Sequence, residues 1–222
     1  AAEPLCREAL EMARETLGNR HPHTLGSIIN LGTLLQDKGD LAAAEQLYRQ
    51  ALEVLRETLG NRHPDTLTSI NNLASLLYNK GDLAAAEPLF REALKVARET
   101  LGNRHPHTLA AISNLGVLQR AKGDLAAAEP LQREALELLR ETLGNRHPDT
   151  LFSINNLGML LKAKGDLAAA ELLYREALEV KRETLGNRHP STLGSICNLG
   201  LLLQAKGDLA TAEPLLREAG VS

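Results

Sequence analysis

The side chains with the widest chemical reach in this sequence are five evenly spaced histidines, His21, His63, His105, His147 and His189, each followed by proline. Imidazole can ligate a metal or move a proton near neutral pH, and His21 with His23, or His105 with His107, would offer two nitrogens to one ion. A structural metal site needs further ligands, commonly thiolates, and a carboxylate or carbonyl to orient each ring. Neither recurs beside these histidines. Each stands in the same loop ahead of a proline, where the ring can bond a neighbouring backbone group or pack beneath the preceding helix end. No metal site is expected. Catalysis has no starting point either, because GxxxxGK[ST], GxSxG and HExxH are all absent. Almost every polar residue is repeated, whereas an active site is a constellation that occurs once. The sequence reads as a non-enzyme without a cofactor.

Composition narrows the partners. The chain has 222 residues and only 2% aromatics, so its core must be filled by Leu, Ile and Ala, which suits closely packed helices. Its 25 basic and 28 acidic side chains leave a formal charge of −3. That field repels a phosphate backbone, and few rings exist on which bases could stack, so no nucleic acid is expected. No apolar run approaches the roughly 18 residues of a membrane span. Cys6 and Cys197 lie near opposite ends of the chain, too far apart to pair, and belong to no repeated ligand pattern. This usage fits a reducing, cytoplasmic setting. Ala1 already falls inside a repeat, so the natural N-terminus and any targeting segment are expected to lie upstream.

The histidines mark a period of 42 residues, and the pairs beginning at Gly39, Gly81, Gly123, Gly165 and Gly207 keep the same phase. A fixed period of this size signals a stacked array in which each unit buries its apolar face only against its neighbours. In the second copy, Leu67, Ile70, Leu73, Leu76 and Leu77 fall at helical spacing and predict an A helix from Pro64 to about Asn79. Gly81 can take the left-handed conformation that stops this helix, and Asp82 is placed to cap the next. A B helix then runs from about Leu83 to Leu101, with Leu83, Ala86, Leu89, Phe90, Ala93, Leu94 and Ala97 facing inward, and stops at Gly102. The count for the chain is one leading B helix, five A helices and five further B helices. The whole is expected to be a single all-α array over residues 1–222 that begins and ends within a repeat. Pro4, Pro88, Pro130 and Pro214 fall on the second turn of B helices and should bend them locally, yet Gln46 and Leu172 fill the same place elsewhere. Glu87 with Arg91, Glu129 with Arg133 and Glu171 with Arg175 stand four apart, as on a solvated helix face.

The run NNLASLLYNKGDLAAAEPLFREAL from Asn71 to Leu94, preceded by LGNRHPDTL, resembles the tetratricopeptide repeat, in the 42-residue variety of kinesin light chains and related scaffolds. The resemblance covers the entire chain. It includes the small A-helix residue (Gly32, Ala74, Gly116, Gly158, Gly200), the B-helix alanine (Ala44, Ala86, Ala128, Ala170, Ala212) and the residue four later (Tyr48, Phe90, Gln132, Tyr174, Leu216). The third copy departs from the pattern, with Gln119 and Gln132 where other copies place Leu35, Leu77, Tyr48 or Phe90. The family implies a right-handed superhelical α-solenoid with A helices on the concave face and B helices on the convex one.

It also implies a role for Asn30, Asn72, Asn114, Asn156 and Asn198, each just before the A-helix leucine. The matching family position faces the groove and holds a peptide backbone by its amide, which both donates and accepts. The alternative, equally open, is that these asparagines bond within or between helices. Specificity would come from the groove positions that vary: Gly26, Ile29, Thr33 and Gln36 in the first copy, then Thr68, Asn71, Ser75 and Tyr78 in the second. The third has Ala110, Ser113, Val117 and Arg120; the fourth has Phe152, Asn155, Met159 and Lys162; the last has Gly194, Cys197, Leu201 and Gln204. Lys38, Lys80, Lys122, Lys164 and Lys206 end the A helices, so the groove is neutral to mildly basic and suits a peptide with apolar and acidic side chains. The second functional expectation is a spacer or assembly rod associating head to tail, because Leu5, Ala9 and Met12 of the first helix lack a covering partner.

Overall fold

Two punctuation signals divide each 42-residue copy, and both act locally. At each A-helix start, proline occupies the first helical position, and His21, His63, His147 and His189 are N-caps. At the corner, Gly81 has φ 81°, its N–H reaches the Tyr78 carbonyl and the Asp82 N–H reaches that of Leu77, both at 2.9 Å. These bonds satisfy the last carbonyls of the A helix. The Asp82 carboxylate then accepts from the Ala85 N–H at 3.0 Å and caps the B helix, as do Asp40, Asp124, Asp166 and Asp208 in theirs.

The computed structural model describes residues Ala2–Gly220, and every regular element among them is helical. The eleven helices are α1 (Ala2–Leu17), α2 (Pro22–Asp37), α3 (Leu41–Leu59), α4 (Pro64–Asn79), α5 (Leu83–Leu101), α6 (Pro106–Ala121), α7 (Leu125–Leu143), α8 (Pro148–Ala163), α9 (Leu167–Leu185), α10 (Pro190–Lys206) and α11 (Leu209–Glu218). The expected A helix ending near Asn79 and B helix from Leu83 to Leu101 are α4 and α5. Helices α5 and α7 run unbroken through exposed Pro88 and Pro130, with the same 19 residues as proline-free α3 and α9.

The chain forms two compact units, one up to Leu118 and one from Gln119 onward. In the first, α1 to α5 pack consecutively, each A helix lying between the B helix before it and the one after. Leu67, Ile70 and Leu76 of α4 and Ala86 and Ala93 of α5 are fully buried. Leu83 and Leu89, expected inside, are only half-buried. In the second unit α7 to α11 repeat the arrangement around Ile154, Leu160, Ala170, Tyr174 and Ile196. The B-helix alanines Ala44, Ala86, Ala128, Ala170 and Ala212 have no exposed surface, since only a methyl group fits where the paired helices approach. On the A-helix side Gly32 and Gly158 receive the rings of Tyr48 and Tyr174. Burial pushes the Tyr174 hydroxyl up to about 12.

Neighbouring copies are tied by a charge network that pairwise sequence reading missed. Glu45 accepts from Arg49 one turn on, as expected of a helix face, but also from Lys80 at the end of the next A helix, at 2.5 Å. Glu171 does the same with Arg175 and Lys206, Glu129 with Arg133 and Lys164, and Glu3 with Arg7 and Lys38. These glutamates are partly shielded ties between copies rather than fully solvated surface. Hydrogen bonds from Lys80, Lys164 and Lys206 are the leading cause that holds Glu45, Glu129 and Glu171 below the ordinary carboxylate value. A depressed folded-state value means that the ties stabilise the fold above the ordinary carboxylate range and are lost as pH falls through the lowered one. A second row joins B helices, with Arg56 on both carboxylate oxygens of Glu92, Arg140 on Glu176 and Arg182 on Glu218.

Candidate functional site

Each repeated histidine caps the A helix that follows it. In all five, Nδ1 accepts the N–H of the second helical residue, from His23, Asp65, His107, Asp149 and Ser191, at 3.1–3.2 Å. Among the described residues no group of three His, Cys, Asp or Glu is placed to hold a metal ion. His21 stacks on His23 at 5.3 Å and His105 on His107 at 5.2 Å. Burial, with the neighbouring His105, holds His107 below its ordinary value. Thr24 and Thr108, three residues after their histidines, are buried and donate to the Gly18 and Gly102 carbonyls at 2.8 and 2.7 Å, pinning each loop to the preceding helix end. Cys6 and Cys197 are free thiols. Among the described residues no helix is long and apolar enough to cross a membrane.

The A helices carry an accessible stripe at three- and four-residue spacing. In α4 it consists of half-buried Thr68, Asn71, Ser75 and Tyr78, and in α8 of exposed Phe152 with half-buried Asn155, Met159 and Lys162. Arg120 of α6 is half-buried. The five asparagines before the A-helix leucine border this stripe in unequal settings. Asn30 is exposed, Asn72, Asn114 and Asn198 are half-buried, and Asn156 is 5% exposed. The Asn156 Nδ2 and the Oδ1 atoms of Asn71 and Asn155 are shielded from solvent without a hydrogen-bond partner. Lys38, Lys80, Lys164 and Lys206, read as the basic edge of the groove, are held in the ion pairs between copies.

The structure brings some of these positions together in pockets. In the first unit, Gly26 and Ile29 of α2 line a hollow of about 370 Å³ with Leu55 and Leu59 of α3 and Thr68 of α4. In the second, Phe152 and Asn155 of α8 line one of about 450 Å³ with Lys181 and Leu185 of α9 and Ser191 of α10. Both open where the N-terminal halves of successive A helices meet over the end of a B helix. Neither wall includes an asparagine of the ladder. Sequence reading overlooked Lys181. Its signal was a charge at a B-helix position that is Leu55, Ala97 and Leu139 in other copies.

Helix pairs of one length, closed by the same corner and stacked copy on copy, define the class of α-solenoid repeat proteins. A family model described as tetratricopeptide repeat matches residues 1–57, 24–99, 65–141 and 110–183, and a second model of that description matches 192–219. The chain belongs to the tetratricopeptide repeat family. Among solved structures it is similar to BtubC (BKLC) from P. vanneervenii, with 27% identity, a TM-score of 0.83 and coverage of 98% of this chain and 88% of that one. A Podosopora anserina putative kinesin light chain with nearly identical TPR-like repeats is similar at 29% identity and TM-score 0.77, over 90% of this chain and 94% of that one. YrrB, described as a TPR protein with an unusual peptide-binding site, shares the fold at 19% identity and TM-score 0.55, over 95% of this chain and 90% of that one. No curated protein matches the sequence. The chain is thus an all-α, kinesin-light-chain-like repeat array of a kind that serves as a protein-interaction scaffold.

Proposed function

We propose that this array binds an extended peptide along the open face of its A helices and performs no catalysis. Asn30, Asn72, Asn114, Asn156 and Asn198 hold the peptide backbone, while Asn71, Tyr78, Arg120, Phe152, Asn155 and Lys162 meet its side chains. The observation that carries this reading is the accessible stripe of side chains that differ between copies, with Thr68, Asn71, Ser75 and Tyr78 on α4 and Phe152, Asn155, Met159 and Lys162 on α8. A carboxamide both donates and accepts, so exposed Asn30 and half-buried Asn72, Asn114 and Asn198, which border that stripe, can each pair with a peptide unit. With four A-helix lysines engaged by glutamates, attraction for acidic peptide side chains rests on Arg120 and Lys162. Neither nucleic acid nor a membrane is part of this reading.

The test is selection from a random-peptide display library against the folded chain and against a variant with Asn72, Asn114 and Asn156 all replaced by alanine. Peptides selected by the parent should lose binding to the variant, with helicity unchanged and no fall in the unfolding midpoint. A variant that unfolds at much lower denaturant assigns the asparagines to the stack and defeats the reading.

Exposed apolar side chains support a second reading, head-to-tail self-association. Leu5 and Met12 of α1 are 66% and 58% exposed, and Leu209 of α11 is also open. Contacts between unlike surfaces need not close into a ring and can then propagate. Sedimentation should show mass rising with concentration for the parent chain and a constant monomer after Leu5→Lys with Met12→Lys. A concentration-independent parent removes this reading.

A further inference from the structure

Lys181 of the second-unit pocket stands where the first-unit pocket has the apolar Leu55. The first-unit pocket has Gly26, Ile29 and Leu55 on its wall, and the corresponding places in the second unit hold Phe152, Asn155 and Lys181. Lys181 is 7% exposed. Its ammonium donates to the Ser195 Oγ at 2.8 Å and approaches the Ser191 carbonyl at 3.4 Å, both neutral acceptors. Three donors serve two partners. Asp149 is the carboxylate on the pocket wall; its side chain is largely exposed and lies beside His147. The other wall cation, Arg146, pairs with Glu183. Burial holds the Lys181 amine below its ordinary value, as expected of a buried cation lacking an anion. Around it the wall is apolar, from Leu151, Leu185, Pro148 and the open ring of Phe152.

We propose that the pocket between α8, α9 and α10 binds a carboxylate carried on a short apolar chain, with the Lys181 ammonium receiving the carboxylate and Leu151, Leu185 and Phe152 receiving the chain. A buried cation gains most from an anion that arrives already desolvated by a hydrocarbon stem, because the pocket then replaces water around both parts of the ligand. Two sources offer this chemistry, a free alkyl carboxylic acid and the side chain of glutamate in a peptide. Hexanoate represents the first and N-acetylglutamic acid N-methylamide the second.

The experiment titrates the full chain with hexanoate and with its neutral analogue hexanamide, following the methyl resonances of Leu151 and Leu185. Hexanoate should bind at least tenfold more tightly than hexanamide, and the preference should disappear in Lys181→Met, whose side chain retains the apolar stem. Equal binding of the two probes, no saturable binding of hexanoate, or a preference that survives in Lys181→Met overturns the proposal. The comparison within the parent chain decides it even if the variant folds poorly. Blocked glutamate binding with the same dependence on Lys181 assigns the site to peptide side chains. Binding confined to hexanoate supports the site and assigns it to free acids. Neither probe requires a peptide on the A-helix face, so this test and the asparagine test fail independently.

Discussion

Gly32→Ala should destabilise the first helix pair by about 1–3 kcal/mol, the cost of forcing extra volume into a packed core. A Cβ at Gly32 would lie 2.6 Å from Cε1 and 2.9 Å from Cδ1 of Tyr48, closer than real methyl contacts allow. The ring has little room to retreat, because Tyr48 is buried and its hydroxyl sits 3.0 Å from the Thr33 hydroxyl. The second copy shows which ring tolerates a methyl group there: Ala74 and Phe90 occupy the two places, both buried. Tyr48→Phe added to Gly32→Ala should therefore recover part of the loss by releasing the hydroxyl anchor. Urea unfolding followed by helicity measures the total, and amide exchange in α2 and α3 locates it, since repeat arrays lose stability copy by copy. A Gly32→Ala variant with parental exchange in both helices would show that the ring moves freely.

Gln132→Leu should act in the opposite direction and raise stability, by about 1–3 kcal/mol. Gln132 is 2% exposed, and neither its Oε1 nor its Nε2 has a hydrogen-bond partner. The corresponding residues of other copies are Tyr48, Phe90, Tyr174 and Leu216, so an apolar side chain is native to this place. Leucine removes two stranded polar atoms and keeps most of the volume. The measured quantity is the unfolding midpoint, with exchange rates in α7 reporting the local change. A midpoint at or below the parent's would mean that the amide is satisfied within the folded chain. The two substitutions have opposite signs for one reason: the same structural place accepts different volumes and polarities in different copies.

That reason also separates what could be read early from what could not. Helix limits such as Pro64–Asn79 and Leu83–Leu101 were legible because they arise from interactions within a few residues. Proline fixes the first turn, Asp82 caps it in the next helix, and Gly81 alone tolerates the corner's positive φ. The 3.6-residue spacing of Leu67, Ile70, Leu73 and Leu77 likewise states which side of a helix must be buried. Repetition strengthened each signal, and the family followed from the same residues.

The ties between copies and the settings of repeated side chains were decided only by packing. Glu45 and Lys80 are 35 positions apart, and nothing at either position announces the other until α3 and α4 are stacked. The five asparagines are identical in sequence yet range from exposed Asn30 to buried Asn156, because accessibility belongs to the neighbours and not to the residue. Lys181 stands where the helical period demands an apolar side chain. Its place became intelligible only when α8 and α10 enclosed it with Ser195 and an open hollow. Local geometry repeats faithfully from copy to copy, since capping and helical periodicity depend on the chain itself. Burial, hydrogen-bond satisfaction and charge pairing depend on which surfaces the stack brings against one another, and at these positions the tertiary structure alone determined the chemistry.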